Sequence, residues 1–148
     1  MLKLIALIIA AIVLALIVIY VFFPAKIFAF ARQSLRRRGG LVQKSITVDG
    51  RAWPYLEGGN FSKPVLILIH GFSGEKDNWA IMAPQLKQHF HIIAPDLPGF
   101  GENERSSDLG FDNESQTRRF HAFRSASNAP IWPATAWAAG SRYAMRWN

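Results

Sequence analysis

The chain contains no cysteine, which excludes disulfides and thiolate metal sites and leaves the compartment open. Acidic residues are missing from both ends. Residues 1–44 hold seven Lys/Arg and no Asp or Glu, and residues 124–148 hold three Arg and no acid. The formal charge of +7 therefore comes from the ends, because residues 45–123 hold seven Lys/Arg against ten Asp/Glu. That middle part has no basic patch with interleaved aromatics, so no nucleic-acid partner is expected. His89, His91 and His121 have no carboxylate at metal-ligand spacing. Neither a metal nor a cofactor is expected.

Charge is also absent from Leu4 to Phe23, an unbroken apolar run. About 20 such residues suffice to cross the hydrocarbon core as a helix, and lipid enforces the helix because backbone groups there find no water. Pro24 ends or kinks it. Residues 1–24 are therefore expected to be a single-pass anchor, with membrane lipid as its partner. A cleaved signal peptide is the rival, since Ala29-Phe30-Ala31 has the small-x-small form of a cleavage site. The run is longer than the ~7–15 apolar residues usual in a signal. Residues 25–44 form a basic linker with Lys26, Arg32, Arg36, Arg37 and Arg38, closed by Gly39-Gly40. These cations either meet anionic headgroups or are merely solvated. Only Lys3 precedes the apolar run, so the positive-inside rule places the globular part on the cytoplasmic side.

At this length one domain is the natural prior. Val42–Val48 and Arg51–Leu56 flank Asp49-Gly50, a hairpin signal. Pro54 suggests an edge position for the second of these strands, which Gly58-Gly59-Asn60 closes. Val65–Ile69 is a continuous aliphatic run, the pattern of a strand buried on both faces. Asp77 or Asn78 can cap a helix reaching about Gln88. Phe90–Ala94 predicts a second buried strand, Asp96–Gly101 a Pro/Gly turn, and Glu114–Phe123 another helix. Strands alternating with helices imply an open α/β sheet.

Two segments carry chemistry: VLILIHGFSGEKDNW, Val65 to Trp79, and HIIAPDLPGFG, His91 to Gly101. Together they make the chain resemble the front part of an α/β-hydrolase, over about Ser45 to Phe123. With the apolar N-terminus and the later ESQTRRFHAF, it is most similar to membrane-anchored monoacylglycerol lipases and related bacterial lipases. The resemblance implies an α/β fold: an incomplete α/β-hydrolase sheet over residues 45–123, preceded by one transmembrane helix. It implies a serine hydrolase of lipid esters, with the bilayer supplying the substrate. In this family the His70-Gly71-Phe72 turn holds part of the oxyanion hole, where a backbone N–H faces the developing O⁻. By resemblance Phe72 supplies that donor and Gly71 lets the chain turn tightly. His70, Asp96, Pro98, Gly99 and Gly101 then shape the surrounding loops. Ser73 stands beside the turn but lacks the nucleophile context and reads as a loop hydroxyl.

The family next places a strand and a Gly-x-Ser-x-Gly elbow that exposes the nucleophile. None of the ten serines lies in such a motif. Nucleophile, acid and catalytic histidine are all expected to be missing, and the chain to be inactive. The alternative is a non-catalytic, membrane-anchored remnant with no selected activity. Residues 124–148 hold three of the five Trp, no acid, and neither helical nor strand periodicity. Read one frame over, Trp132-Pro133 forces alanine, Trp137-Ala138 forces glycine and Trp147-Asn148 forces glutamate. With the remaining codons free, the segment can encode LGLERAHLAGNSMGGWVALRYALE, which contains strand, elbow and helix in family order. The nucleophile codon would straddle Thr135 and Ala136. Residues 124–148 are thus expected to be a non-family tail produced by a frameshift near Phe123-Arg124, leaving would-be central strands as sheet edges.

Overall fold

A computed structural model describes residues 1–106 and 108–127, together with the backbone of 135–138 and 145–146. Contacts divide the chain into two compact units, Met1–Ser34 and Leu35–Asn148. In the first, helix α1 (Leu2–Phe22) is exposed along its length. Its 21 residues reach about 31 Å at 1.5 Å per residue, enough to cross a hydrocarbon core. Length and composition make it a candidate membrane span. Helix α2 (Pro24–Gly39) follows after a break at Phe23. Pro24 fits the first helical position, where a missing N–H costs nothing. The stretch expected as a linker is therefore helical as far as Gly39. Gly40, at φ +66°, ends the helix in the left-handed conformation that glycine adopts without strain.

The second unit is built on a sheet of order β1-β2-β4-β3-β5-β6. Strands β1 (Leu41–Val48) and β2 (Arg51–Gly59) form an antiparallel hairpin in the register Val48↔Arg51. Strand β4 (His91–Pro95) pairs antiparallel with β2 and parallel with β3 (Val65–Ile69). Strands β5 (Thr135–Ala138) and β6 (Met145–Arg146) complete the order.

Burial of β3 on both faces follows from its composition, and the period of two divides its side chains between two cores. Leu66 and Leu68 join Leu56, Ile92, Ala94, Trp79 and Ala83 on one face. Val65 and Ile67 join Trp53, Ile93, Phe120 and Phe123 on the other. The first face is covered by the 3₁₀-helix Lys76–Ile81 and the short α3 (Ala83–Leu86), the second by α4 (Asn113–Ala126). Asp112 caps α4 by accepting from Ser115 N at 2.8 Å. Phe123 stacks on Trp53 at 5.0 Å and meets Tyr55 edge-on at 5.6 Å.

Four expectations need correction. Strand β2 is interior, between β1 and β4. Pro54 is tolerated because its carbonyl, which lies on the same side of the strand as its nitrogen, accepts from Asp96 N at 3.0 Å just past the last β2–β4 pair, Tyr55↔Pro95. The missing N–H thus falls at the end of that ladder. Gly58 and Gly59 belong to β2 and do not close it; a Cβ on either would meet backbone of Gly40 or Phe90. The expected helix from Asp77 to Gln88 is divided into the 3₁₀-helix and α3, with Pro84 in the first turn of α3. Asp77 makes no cap. Lastly, the far edge of β3 is not left wholly open: β5 pairs with its last two residues in parallel through Leu68↔Trp137 and Ile69↔Ala138. Backbone pairing demands no side-chain pattern, so a segment without periodicity can still complete a ladder.

Candidate active site

Strands β3 and β4 are parallel neighbours, so their C-terminal ends lie at one edge of the sheet. The loops leaving them bring His70, Gly71, Phe72, Asp96, Pro98, Gly99 and Gly101 together. Such carboxyl-edge loops are where open α/β sheets hold ligands.

His70 is buried, at 2% exposure, and its ring bridges the two loops. Nε2 accepts the Leu97 N–H at 3.0 Å. That leaves the proton on Nδ1, which lies 2.9 Å from the Gly71 carbonyl oxygen. Phe100 meets the His70 ring edge-on at 5.4 Å and the Phe72 ring at 5.9 Å. Phe72 itself is 95% exposed. Among the described residues its N–H has no hydrogen-bond partner. Gly74 N–H donates to Gly71 O at 3.0 Å and tightens the turn. Ser73 sits at φ +61°, a left-handed conformation that is uncommon for a residue with a Cβ.

Beside the turn, Phe72, Gly99, Phe100, Arg105, Ser106 and Phe111 line a shallow basin of about 480 Å³. Three aromatic rings and a single cation suit an apolar ligand with a polar end.

Asp96 is wholly buried. One carboxylate oxygen accepts Lys76 N at 2.7 Å, and the other accepts Lys76 Nζ at 2.6 Å and Glu102 N at 2.9 Å. Asn103 Nδ2 donates to the Asp96 carbonyl at 2.7 Å. Gly101 is required here: its φ is +53° and a Cβ would run into the Asp96 carboxylate.

Nothing in the sequence singled out Lys76, and Arg36, expected against headgroups or in solvent, is instead a buried ion-pair partner. Lys76 is fully buried, and Arg36, on the last turn of α2, is 7% exposed. Arg36 grips both carboxylate oxygens of Asp77, at 2.5 and 2.6 Å, and donates to Gln43 Oε1 at 2.5 Å. Gln43 in turn donates to Glu102 at 2.5 Å, and Lys76 Nζ reaches Glu102 at 3.2 Å. The hydrogen bond that Arg36 donates to Asp77 raises the Arg36 pKa, against the effect of burial. Burial pushes the Glu102 carboxyl up, but the charge of Lys76 and its neighbours outweighs it and holds the group below the usual glutamate range. The available signal was Lys76 in a loop followed by Asp77; nothing marked it for burial.

Ser73 stands in the turn and Ser106 lines the basin, while His91 lies elsewhere. His91 Nε2 bonds Glu57 Oε1 at 2.7 Å on the β2–β4 pair. Ser107 and Ser141 lie outside the described residues. Thr135 and Ala136, where the alternative frame would place a nucleophile codon, are in β5. Among the described residues no group of three or more His, Asp or Glu is arranged to hold a metal.

A parallel pair with helices on both faces and shaped carboxyl-edge loops defines an open α/β fold. The alpha/beta hydrolase fold family matches residues 64–131. The chain is 41% identical over 87 residues to Lipase 1 of Psychrobacter immobilis, covering 58% of this chain and 27% of the lipase. It is 29% identical over 114 residues to the monoacylglycerol lipase ABHD6 of Bos taurus, covering 75% of this chain and 33% of that protein. The crystal structure of a bacterial membrane phospholipase A superposes with a TM-score of 0.73 at 33% identity, covering 93% of this chain and 44% of that one. These matches support an α/β-hydrolase family member. The chain spans roughly a quarter to a third of the length of these curated relatives, 27% and 33%.

Proposed function

We infer that the chain is the membrane-anchored front of a serine hydrolase of lipid carboxylic esters, and that it is inactive as it stands. The observation that carries this reading is the turn at His70–Phe72. Its apex amide has no partner among the described residues and stands beside an aromatic basin, as a donor for a developing oxyanion should. Gly71 and Phe72 form the oxyanion half-site; His70, Asp96, Pro98, Gly99 and Gly101 hold its shape. The names of the relatives, lipases and a phospholipase A, support a lipid ester as substrate. Helix α1 supports an anchor that keeps the site near substrate dissolved in the bilayer. The cations on residues 26–38 favour the cytoplasmic side.

Inactivity follows from the missing elbow. None of the ten serines has the Gly-x-Ser-x-Gly context, and oxyanion and binding groups without a nucleophile leave only about 10³–10⁴-fold acceleration. The forced alanine, glycine and glutamate codons support a frameshift near Phe123-Arg124 as the cause. Two experiments test the proposal. A fluorophosphonate probe is expected to leave the chain unlabelled, and covalent labelling would refute inactivity. Sequencing the DNA across codons 120–148 is expected to reveal a Gly-x-Ser-x-Gly run in the neighbouring frame; without that run the frameshift idea fails.

A further inference from the structure

We propose that Lys76 is a positioning residue for the His70–Phe72 turn, and that Arg36 extends its hold to the end of helix α2. The oxyanion role of that turn rests on the function inferred above; the positioning itself rests on the geometry of residues 70–76.

That loop is pinned at both ends by two adjacent residues. At its start, Leu97 N–H donates to His70 Nε2 at 3.0 Å. At its end, the Asp96 carboxylate takes both the backbone N–H of Lys76, at 2.7 Å, and its ammonium, at 2.6 Å. The dipeptide Asp96-Leu97 is thus a clamp, and the ammonium is the only full positive charge in contact with its buried carboxylate among the described residues. A fully buried lysine is rare unless paired, and this one faces Asp96, Glu102 and, at 3.9 Å, Asp77. Two of those three carboxylates belong to a second grip. Arg36 holds Asp77 with two bonds and lies 3.8 Å from Glu102. With Gln43 bridging Arg36 to Glu102, the cluster ties together the end of α2, strand β1, the 3₁₀-helix and the turn after β4.

Apolar contact does not explain these groups. Burying charges is unfavourable unless geometry and hydrogen bonds compensate, and charged clusters of this kind are retained where they define one conformation. The conformation defined here contains Ser73 in a left-handed backbone, which persists only when its surroundings over-determine it. Without the ammonium, the Asp96 carboxylate loses its counter-charge, the clamp loosens, and both the His70 ring and the Phe72 amide lose their fixed direction.

The test uses the full chain in phospholipid nanodiscs, with amide hydrogen exchange and ¹⁵N-histidine NMR as readouts. Lys76→Met is expected to speed exchange in residues 70–75 by about ten-fold or more relative to core amides at 92–94, whose exchange follows the global stability. The His70 ring is expected to pass from a single Nδ1–H tautomer to a mixture, a signature that a merely structural lysine would not alter. Unchanged exchange at 70–75, a rise shared equally by 92–94, or an unchanged His70 spectrum would each overturn the proposal. Should Lys76→Met fail to fold, the neutralised double variant Lys76→Met/Asp96→Asn is expected to keep the fold with the loop still fast; a protected loop would overturn it. Arg36→Met is expected to raise the same local exchange by about two- to five-fold, and no change would detach Arg36. Exchange requires no catalysis. Failure of the ester-hydrolase reading would therefore leave this result standing, and failure here would leave that reading untouched.

Discussion

Two ion clusters in the second unit use the same kinds of residue and stand at opposite extremes. Beneath the turn, Lys76 and Arg36 meet Asp96, Asp77 and Glu102, with Lys76 and Asp96 wholly enclosed. At the surface, Arg51 meets Glu104 at 2.5 Å and Asp108 at 2.8 Å, with side chains 34–61% exposed. The distances are alike. Burial makes the difference, because water and salt screen the outer pairs and mobile side chains give back in entropy what they gain in attraction. The inner groups have no water to fall back on, so every lost partner leaves an uncompensated charge.

Removing one inner partner gives the largest expected effect. Lys76→Met should cost about 3–5 kcal/mol by chemical denaturation of the second unit in detergent, a large share of a typical domain stability of ~5–15 kcal/mol. A loss within the range of surface variants would erase the contrast. Next comes the coupling between partners. In a double-mutant cycle, Lys76→Met and Asp96→Asn together should cost less than the sum of the single losses, by about 0.5–3 kcal/mol. Strict additivity would mean that the pair does not act as a unit.

Acid should then separate groups whose folded carboxyls are held low. Burial tends to raise Glu57, but Lys44 and His91 outweigh it, and Glu102 is lowered against burial by Lys76. Each binds its proton more weakly when folded, so each contributes stability above the ordinary glutamate value of about 4.3. That contribution is lost as pH falls from there through the lower folded value. A denaturation midpoint flat between pH 5 and pH 2 would contradict both ion-pair assignments. Smallest of all is the outer cluster: Arg51→Ala should leave the melting temperature unchanged within error, and a clear drop would break the surface half of the comparison.

Legibility followed the same divide between local and distant causes. Val65–Ile69 was readable with its observed bounds because five successive aliphatic residues admit few other fates. The two β1–β2 partners were readable because Asp49-Gly50 specifies a hairpin turn locally. Helix α4 was readable to within a few residues from its pattern. The turn residues His70 to Phe72 and Asp96 to Gly101 were identifiable by resemblance, and the parallel pairing of β3 with β4 is what brings them to one edge. Pro54 misled because its local rule ignores where along a ladder the missing N–H falls. Asp77 misled because a residue fit to cap a helix is equally fit to receive an arginine 41 positions away. Lys76 was invisible as a core residue, since lysine's ordinary place is the surface.

The amino-acid order alone determined the apolar N-terminal run, the strand-forming stretches, the absence of a nucleophile elbow and the altered character of residues 124–148. All of these are properties of neighbouring residues. Only the tertiary structure decided that β3 finds a second partner in Thr135–Ala138, that β2 lies inside the sheet, and that Lys76 and Arg36 converge on Asp96, Asp77 and Glu102. Those outcomes depend on which distant groups share a dry space, and in a dry space the partner, not the residue type, decides whether a charge can stay.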